Sequence, residues 1–123
     1  MIHGYNVDMY FVCDGHGKHG DKVSQYCVKE IPELIKRYIE KKKEINTKII
    51  KGAIKEGCET SHKLLEKSSI PIAVSGTTVV LAVIWNNILF QANVGDSRSF
   101  LAQKKGNHVV VKCSTEDHKP ETQ

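Results

Sequence analysis

Asp14 and Asp96 each stand where an apolar run gives way to a glycine turn, in Val12-Cys13-Asp14-Gly15-His16-Gly17 and in Val94-Gly95-Asp96-Ser97-Arg98. Strand ends that open into turns are where a rigid scaffold displays functional groups. The first cluster sets a carboxylate, a carbonyl freed by a glycine turn and an imidazole within four residues. Oxygen donors suit hard divalent cations such as Mg²⁺ and Mn²⁺, which also keep several waters. His16 is the residue type that hands over a proton near neutral pH. A plainer account stays open beside this one: an Asp-Gly turn followed by exposed histidines at 16 and 19. For Asp96 the plainer account is a turn aspartate that caps backbone N–H groups, with Arg98 as its ion-pair partner. The two aspartates gain meaning together. If the strand over 7–13 and the strand over 88–94 neighbour each other in one sheet, both carboxylates emerge at one end, and converging carboxylates need cations to offset their repulsion.

The elements that must position these residues are legible from periodicity. Residues 7–13 form a short, mostly apolar run closed by Asp14-Gly15, which reads as a strand ending in a tight turn. From Asp21 the period becomes helical, with Val23, Tyr26, Cys27, Ile31, Leu34, Ile35, Tyr38 and Ile39 on one stripe. Pro32 lacks an N–H, so a kink or restart is expected there. Asn46 is placed to cap a second helix with apolar positions Ile49, Ile50, Ala53, Ile54, Gly57, Ser61, Leu64 and Leu65. Gly57 weakens that helix by about 1 kcal/mol relative to alanine unless another backbone packs closely against it. Residues 75–85 are β-branched and apolar on both faces, which predicts a strand buried on both sides, and Asn86-Asn87 is a hairpin turn into 88–94. Strands over 98–103 and 108–113 follow, giving strand, helix, helix and then four strands in a meander. Such blocks predict an α+β domain, an antiparallel sheet with helices on one face.

Composition bounds the class. The 123 residues, 40% hydrophobic and 26% charged, match one ordinary globular domain and exclude disorder. The longest apolar run, 79–85, is far shorter than the roughly 20 residues that cross a bilayer, and no signal region opens the chain. No membrane association and a cytoplasmic or nuclear location are therefore expected. The net charge of +4 comes from 16 lysines, with only Arg37 and Arg98 beside them. The lysines concentrate on the helical stretches, where charge runs are solvated faces, so no nucleic-acid partner is expected. The four cysteines, Cys13, Cys27, Cys58 and Cys113, are far apart and without a C-x-x-C pair. They read as reduced, buried thiols. A zinc module using Cys13 and His16, or His16 and His19, lacks a second ligand pair.

Four segments in order carry a resemblance: Phe11-Val12-Cys13-Asp14-Gly15-His16-Gly17, Ser75-Gly76-Thr77-Thr78, Ala92-Asn93-Val94-Gly95-Asp96-Ser97-Arg98 and Asp117-His118-Lys119-Pro120. Together they resemble the metal-dependent serine/threonine phosphatases of the type 2C (PPM) family, from Asp8 onward. That resemblance implies an α-β-β-α sandwich, two antiparallel sheets flanked by helices, with a two-metal Mg²⁺ or Mn²⁺ centre in a cleft at one end of the sheets. It implies hydrolysis of phosphoserine and phosphothreonine esters in phosphorylated proteins by a metal-activated water. Asp14 matches the carboxylate that bridges the metals, Gly15 the glycine whose carbonyl coordinates one of them, and His16 the general acid. Asp96 matches an aspartate of a further, weaker metal position. Ser75 to Thr78 and Asp117 to Pro120 match segments that look structural.

Departures from the pattern shape the expectation. The family's phosphate arginine and Met-Glu-Asp segment precede the first motif, and its Asp-Gly-x-Trp/Phe-Asp and Gly-x-x-Asp-Asn segments lie downstream. None of these is in the sequence. Lys18 stands where a small residue is common, and Arg98 matches a structural position that cannot replace the missing clamp. The expectation is one partial catalytic domain over 1–123 with Mg²⁺ or Mn²⁺ bound weakly or not at all, inactive as an isolated chain and prone to self-association through exposed sheet edges. The alternative is a non-catalytic, pseudophosphatase-like binding module of the same fold.

Overall fold

Helical spacing and a cap set the two longest elements. In this computed structural model, which describes residues 2–118, α1 spans Gly20–Glu40 and α2 spans Thr47–Lys67. The Asn46 side chain accepts the backbone N–H of Ile49 at 2.9 Å, which satisfies one of the donors a helix start leaves unpaired. Of the kink or restart expected at Pro32, the restart does not occur: α1 runs through it as one helix. The carbonyl that Pro32 leaves without a donor belongs to Val28, on the exposed side of the helix, where water is available. On the opposite side Ile31, Ile35 and Ile39 are fully buried and hold the helix to its packing surface. Gly57 does meet a close neighbour: a Cβ there would lie 3.0 Å from Ile35 Cγ1 and 3.7 Å from the Ile31 carbonyl oxygen. Its missing side chain lets α2 approach α1.

The strands are β1 (Asp8–Val12), β2 (Gly15–His16), β3 (Gly76–Thr77), β4 (Val79–Trp85), β5 (Ile88–Val94), β6 (Phe100–Lys105) and β7 (His108–Ser114). All pairings are antiparallel, so the α+β class holds. The main sheet has the order β1-β4-β5. Val79, Leu81 and Val83 of β4 are buried in the core with the helices, while Val80 on the other face is buried as well. The expected burial on both sides holds only for the first part of β4, since on that second face Ala82 is half-buried and Ile84 is exposed. Asn86 and Asn87 both take positive φ, 51° and 60°, as a two-residue hairpin between Trp85 and Ile88 requires. A small turn before β1 bonds Ile2 to Tyr5, buries Ile2, and brings His3 Nε2 within 2.8 Å of the Ile39 carbonyl at the end of α1.

Two expectations need correction. The single strand over 75–85 is divided: β3 pairs with β2, β4 pairs with β1 and β5, and Thr78 between them belongs to neither. The ladder is interrupted there without a change of register: Asp14 and Thr78 stand opposite each other, between the pair of Val12 with Val80 and the pair of Gly15 with Thr77, and the Thr78 hydroxyl takes the Asp14 amide. The four-strand meander also stops after β5. β6 and β7 pair only with each other, in a separate ribbon. Gly95 takes φ +103° and turns the chain out of the sheet, and the Asn93 side chain bonds the Gly95 and Glu116 carbonyls. No helix among the described residues is long and apolar enough to cross a membrane.

Replacing the helix cap tests this account. Asn46→Ala is expected to lower stability by about 1 kcal/mol with an unchanged urea m-value, since the cap adds no buried surface of its own.

Candidate active site

β1 and β5 do not neighbour each other, as the convergence of Asp14 and Asp96 was expected to require. They lie on opposite sides of β4. Both run antiparallel to β4, so they run in the same direction, and their last residues reach the same end of the sheet. Val12 stands opposite Val80, and Val94 opposite Val79. The Asp96 turn leaves the sheet at that rim, whereas the tight turn expected at Asp14-Gly15 is absent: the chain stays paired in the same register through Gly15 and His16 and turns only at residues 18–19.

Thr78 sits between Asp14 and the Gly95 to Ser97 turn. Its amide donates to the Asp14 carbonyl at 3.0 Å, its hydroxyl oxygen accepts the Asp14 N–H at 3.0 Å, and the same oxygen lies 2.7 Å from the Ser97 hydroxyl. Gly95 packs on its methyl: with φ at +103°, a Cβ at Gly95 would come 2.8 Å from Thr78 Cγ2. Gly15 is fixed by a still closer approach, since a Cβ there would lie 2.1 Å from the Gly20 carbonyl oxygen at the start of α1. Only glycine permits that contact.

His16 follows in β2, exposed, with its ring over Gly76 of β3. A Cβ at Gly76 would lie 2.8 Å from both Cε1 and Nε2. The ring forms part of the wall of a cavity of about 230 Å³ between α1, α2 and β3. Nearby, the His19 amide donates to the hydroxyl of buried Ser75 at 2.9 Å, which ties the start of α1 to the segment before β3. Asp14, Gly15, His16 and Asp96 therefore share one end of the molecule.

Both aspartates are exposed, and among the described residues neither carboxylate forms a hydrogen bond or ion pair. Arg98 is not the partner of Asp96. It grips Asp117 through two bonds, Nε to Oδ1 at 2.9 Å and Nη2 to Oδ2 at 2.8 Å. That pair, with the His118 amide on the Gly95 carbonyl, anchors the Asp96 turn from outside. Lys119 and Pro120 of the fourth motif lie outside the described residues. Asp14, Asp96 and the Gly15 carbonyl suit a hard cation in type. In number they fall short: no three His, Cys, Asp or Glu side chains among the described residues are grouped so as to hold a metal ion. The same finding leaves the zinc module without support.

Residues 3–123 match the family model for protein phosphatase 2C. The chain belongs to the protein phosphatase 2C family. It is 31% identical over 116 residues to Protein phosphatase 1L of Bos taurus, a match covering 91% of this chain and 31% of the relative. It is 32% identical over 115 residues to Protein phosphatase 2C homolog 3 of Schizosaccharomyces pombe, covering 93% of this chain and 25% of the relative. Protein phosphatase 2C 1 of Paramecium tetraurelia is 30% identical over 129 residues, covering 94% and 39%. The chain thus spans between a quarter and two fifths of the length of these relatives.

Under the rim lie three thiols. Burial pushes the Cys27 thiol up from an ordinary 9.0 to about 11, with Cys13 and Cys58 adding to the shift. Cys58 is raised chiefly by burial, and so is Cys13, where a hydrogen bond with Thr77 opposes the shift in part. A thiol whose folded pKa exceeds its unfolded one contributes stability that is complete below the unfolded pKa and lost as pH rises through the folded pKa. The expected outcome is unchanged thiol-linked stability up to about pH 9 and a decline between 9 and about 11. Denaturation midpoints measured across that range, with Cys27→Ala reducing the decline, check it.

Proposed function

We propose that this chain carries one wall of a Mg²⁺- or Mn²⁺-dependent protein serine/threonine phosphatase site, acting on phosphoserine and phosphothreonine esters of phosphorylated proteins. Residues 1–123 form one partial catalytic domain in this reading. The observation that supports it best is the rim at which Thr78 bonds both Asp14 and Ser97, beside the exposed imidazole of His16. A serine or threonine alkoxide is a poor leaving group, and His16 is placed in the open to give it a proton. Asp14, Gly15 and Asp96 supply hard oxygen donors, too few to make a binuclear centre by themselves, so the isolated chain binds such cations weakly and turns over little.

One observation favours the other reading, a non-catalytic binding module: the described residues group no complete set of metal-ligating side chains. The two readings differ in what Asp14 does. In the phosphatase reading, Mn²⁺ added to the ¹⁵N-labelled chain is expected to broaden the amide resonances around Asp14 and Asp96, and Asp14→Ala to abolish the effect. Mn²⁺ broadening scattered elsewhere would favour the binding module. Hydrolysis of a phosphothreonine peptide by the same chain should stay near background. Asp14-dependent turnover would show that this chain suffices for catalysis.

The ribbon of β6 and β7 is exposed along its whole length, including Phe100, Leu101, Val109, Val110 and Val111. We extend the reading to association of copies through this ribbon, since apolar strands with open edges pair. Light scattering is expected to show mass rising with concentration, and Val109→Lys with Val111→Lys to suppress the rise. A constant monomer mass would refute it.

A further inference from the structure

The segment Ser75 to Thr78 looks structural in sequence, yet one of its residues touches both halves of the site. We propose that Thr78 is the positioning residue that holds Asp14 and the Gly95 to Ser97 turn as one unit. This role rests on the reading of Asp14 and Asp96 as site residues. Thr78 is 8% exposed and stands outside both flanking strands. A hydroxyl has one proton and two lone pairs. One lone pair takes the Asp14 N–H, and the remaining proton and lone pair face the Ser97 hydroxyl at 2.7 Å. The Thr78 amide adds a second bond to Asp14, through its carbonyl. The methyl does the matching work on the other side, because Gly95 packs against it at a distance that leaves no room for a Cβ.

Asp14 and Thr78 are 64 residues apart in the chain, and Thr78 and Ser97 are 19 apart. No ladder bond joins β1 to β5, and among the described residues Thr78 bonds Asp14 on one side and Ser97 on the other. A buried hydroxyl so placed is costly to lose, since its removal strands the donors and acceptors that faced it. Valine keeps the shape of threonine and removes the hydroxyl. Serine keeps the hydroxyl and removes the methyl.

Hydrogen exchange and ¹⁵N relaxation on the 123-residue chain test the role without metal or substrate. In Thr78→Val, exchange of the Asp14 amide is expected to accelerate by about fivefold or more, the scale of one lost hydrogen bond. Order parameters at residues 95–98 should fall in the same variant, while β4 and β5 amides keep their protection. Thr78→Ser should hold the Asp14 amide near its wild-type rate. Loosening of Asp14 alone or of the turn alone, or of both equally in Thr78→Ser, would overturn the role. If Thr78→Val does not fold, Ser97→Ala decides. It leaves the Asp14–Thr78 bond intact, yet is expected to speed Asp14 exchange by freeing the hydroxyl, and an unchanged rate overturns the role. Failure of the phosphatase reading would show instead in the Mn²⁺ experiment, so the two failures are separable.

Discussion

The antiparallel pairing of β4 with a neighbour on each side is the constraint on which the rest of the structure depends. Two strands that flank a common partner in this way must run in the same direction, so their exits share one rim. Nothing else brings Asp14 and Asp96 to one end, because they come from distant parts of the chain. Burial holds β4 in place: Val79, Leu81 and Val83 face the helices, and Val80 is covered on the reverse side. The helices in turn close on each other where Gly57 admits Ile35. Packing thus reaches the site through a short chain of contacts, from α2 to α1 and from α1 to the sheet and its rim.

Much of the fold was legible because its elements are amphipathic in ordinary ways. The stripe from Val23 to Ile39 and the stripe from Ile49 to Leu65 each became one helix, and the Asn46 cap lies where the polar side chain stands before the apolar period. The Asn86-Asn87 turn was readable because few residue pairs accept two left-handed conformations in succession. Pro32 does not end the helix, because the Val28 carbonyl it orphans lies on the solvent side while Ile31 and Ile35 hold the buried face. The division of 75–85 was not readable. Apolar patterning reports burial, and a chain whose ladder is interrupted at Thr78 stays buried there.

For the candidate site, the sequence nominated residues and said little about how they are wired. Motif order placed Asp14, Gly15, His16 and Asp96, and they do share one end of the molecule. The partner of Arg98 was misassigned, because Asp96 is adjacent in sequence while Asp117 reaches the guanidinium only through the fold. Thr78 was passed over as scaffold. A faint signal existed: two consecutive threonines ahead of an uninterrupted apolar run, where a hydroxyl that is about to be buried must find a partner.

The bond from Asp14 to Thr78 spans most of the chain, whereas the β4 to β5 hairpin and the pairing of α1 with α2 need only short connections. Closing a long loop carries the larger entropic cost, and contacts of that kind form after local ones. The candidate rim accordingly forms together with the β1 to β4 pairing, which joins residues as distant as Val12 and Val80, and after the hairpin and the helix pair. A chain emerging from the ribosome holds Asp14 and His16 long before it holds the strand that orients them, and it passes through that interval with the site unmade.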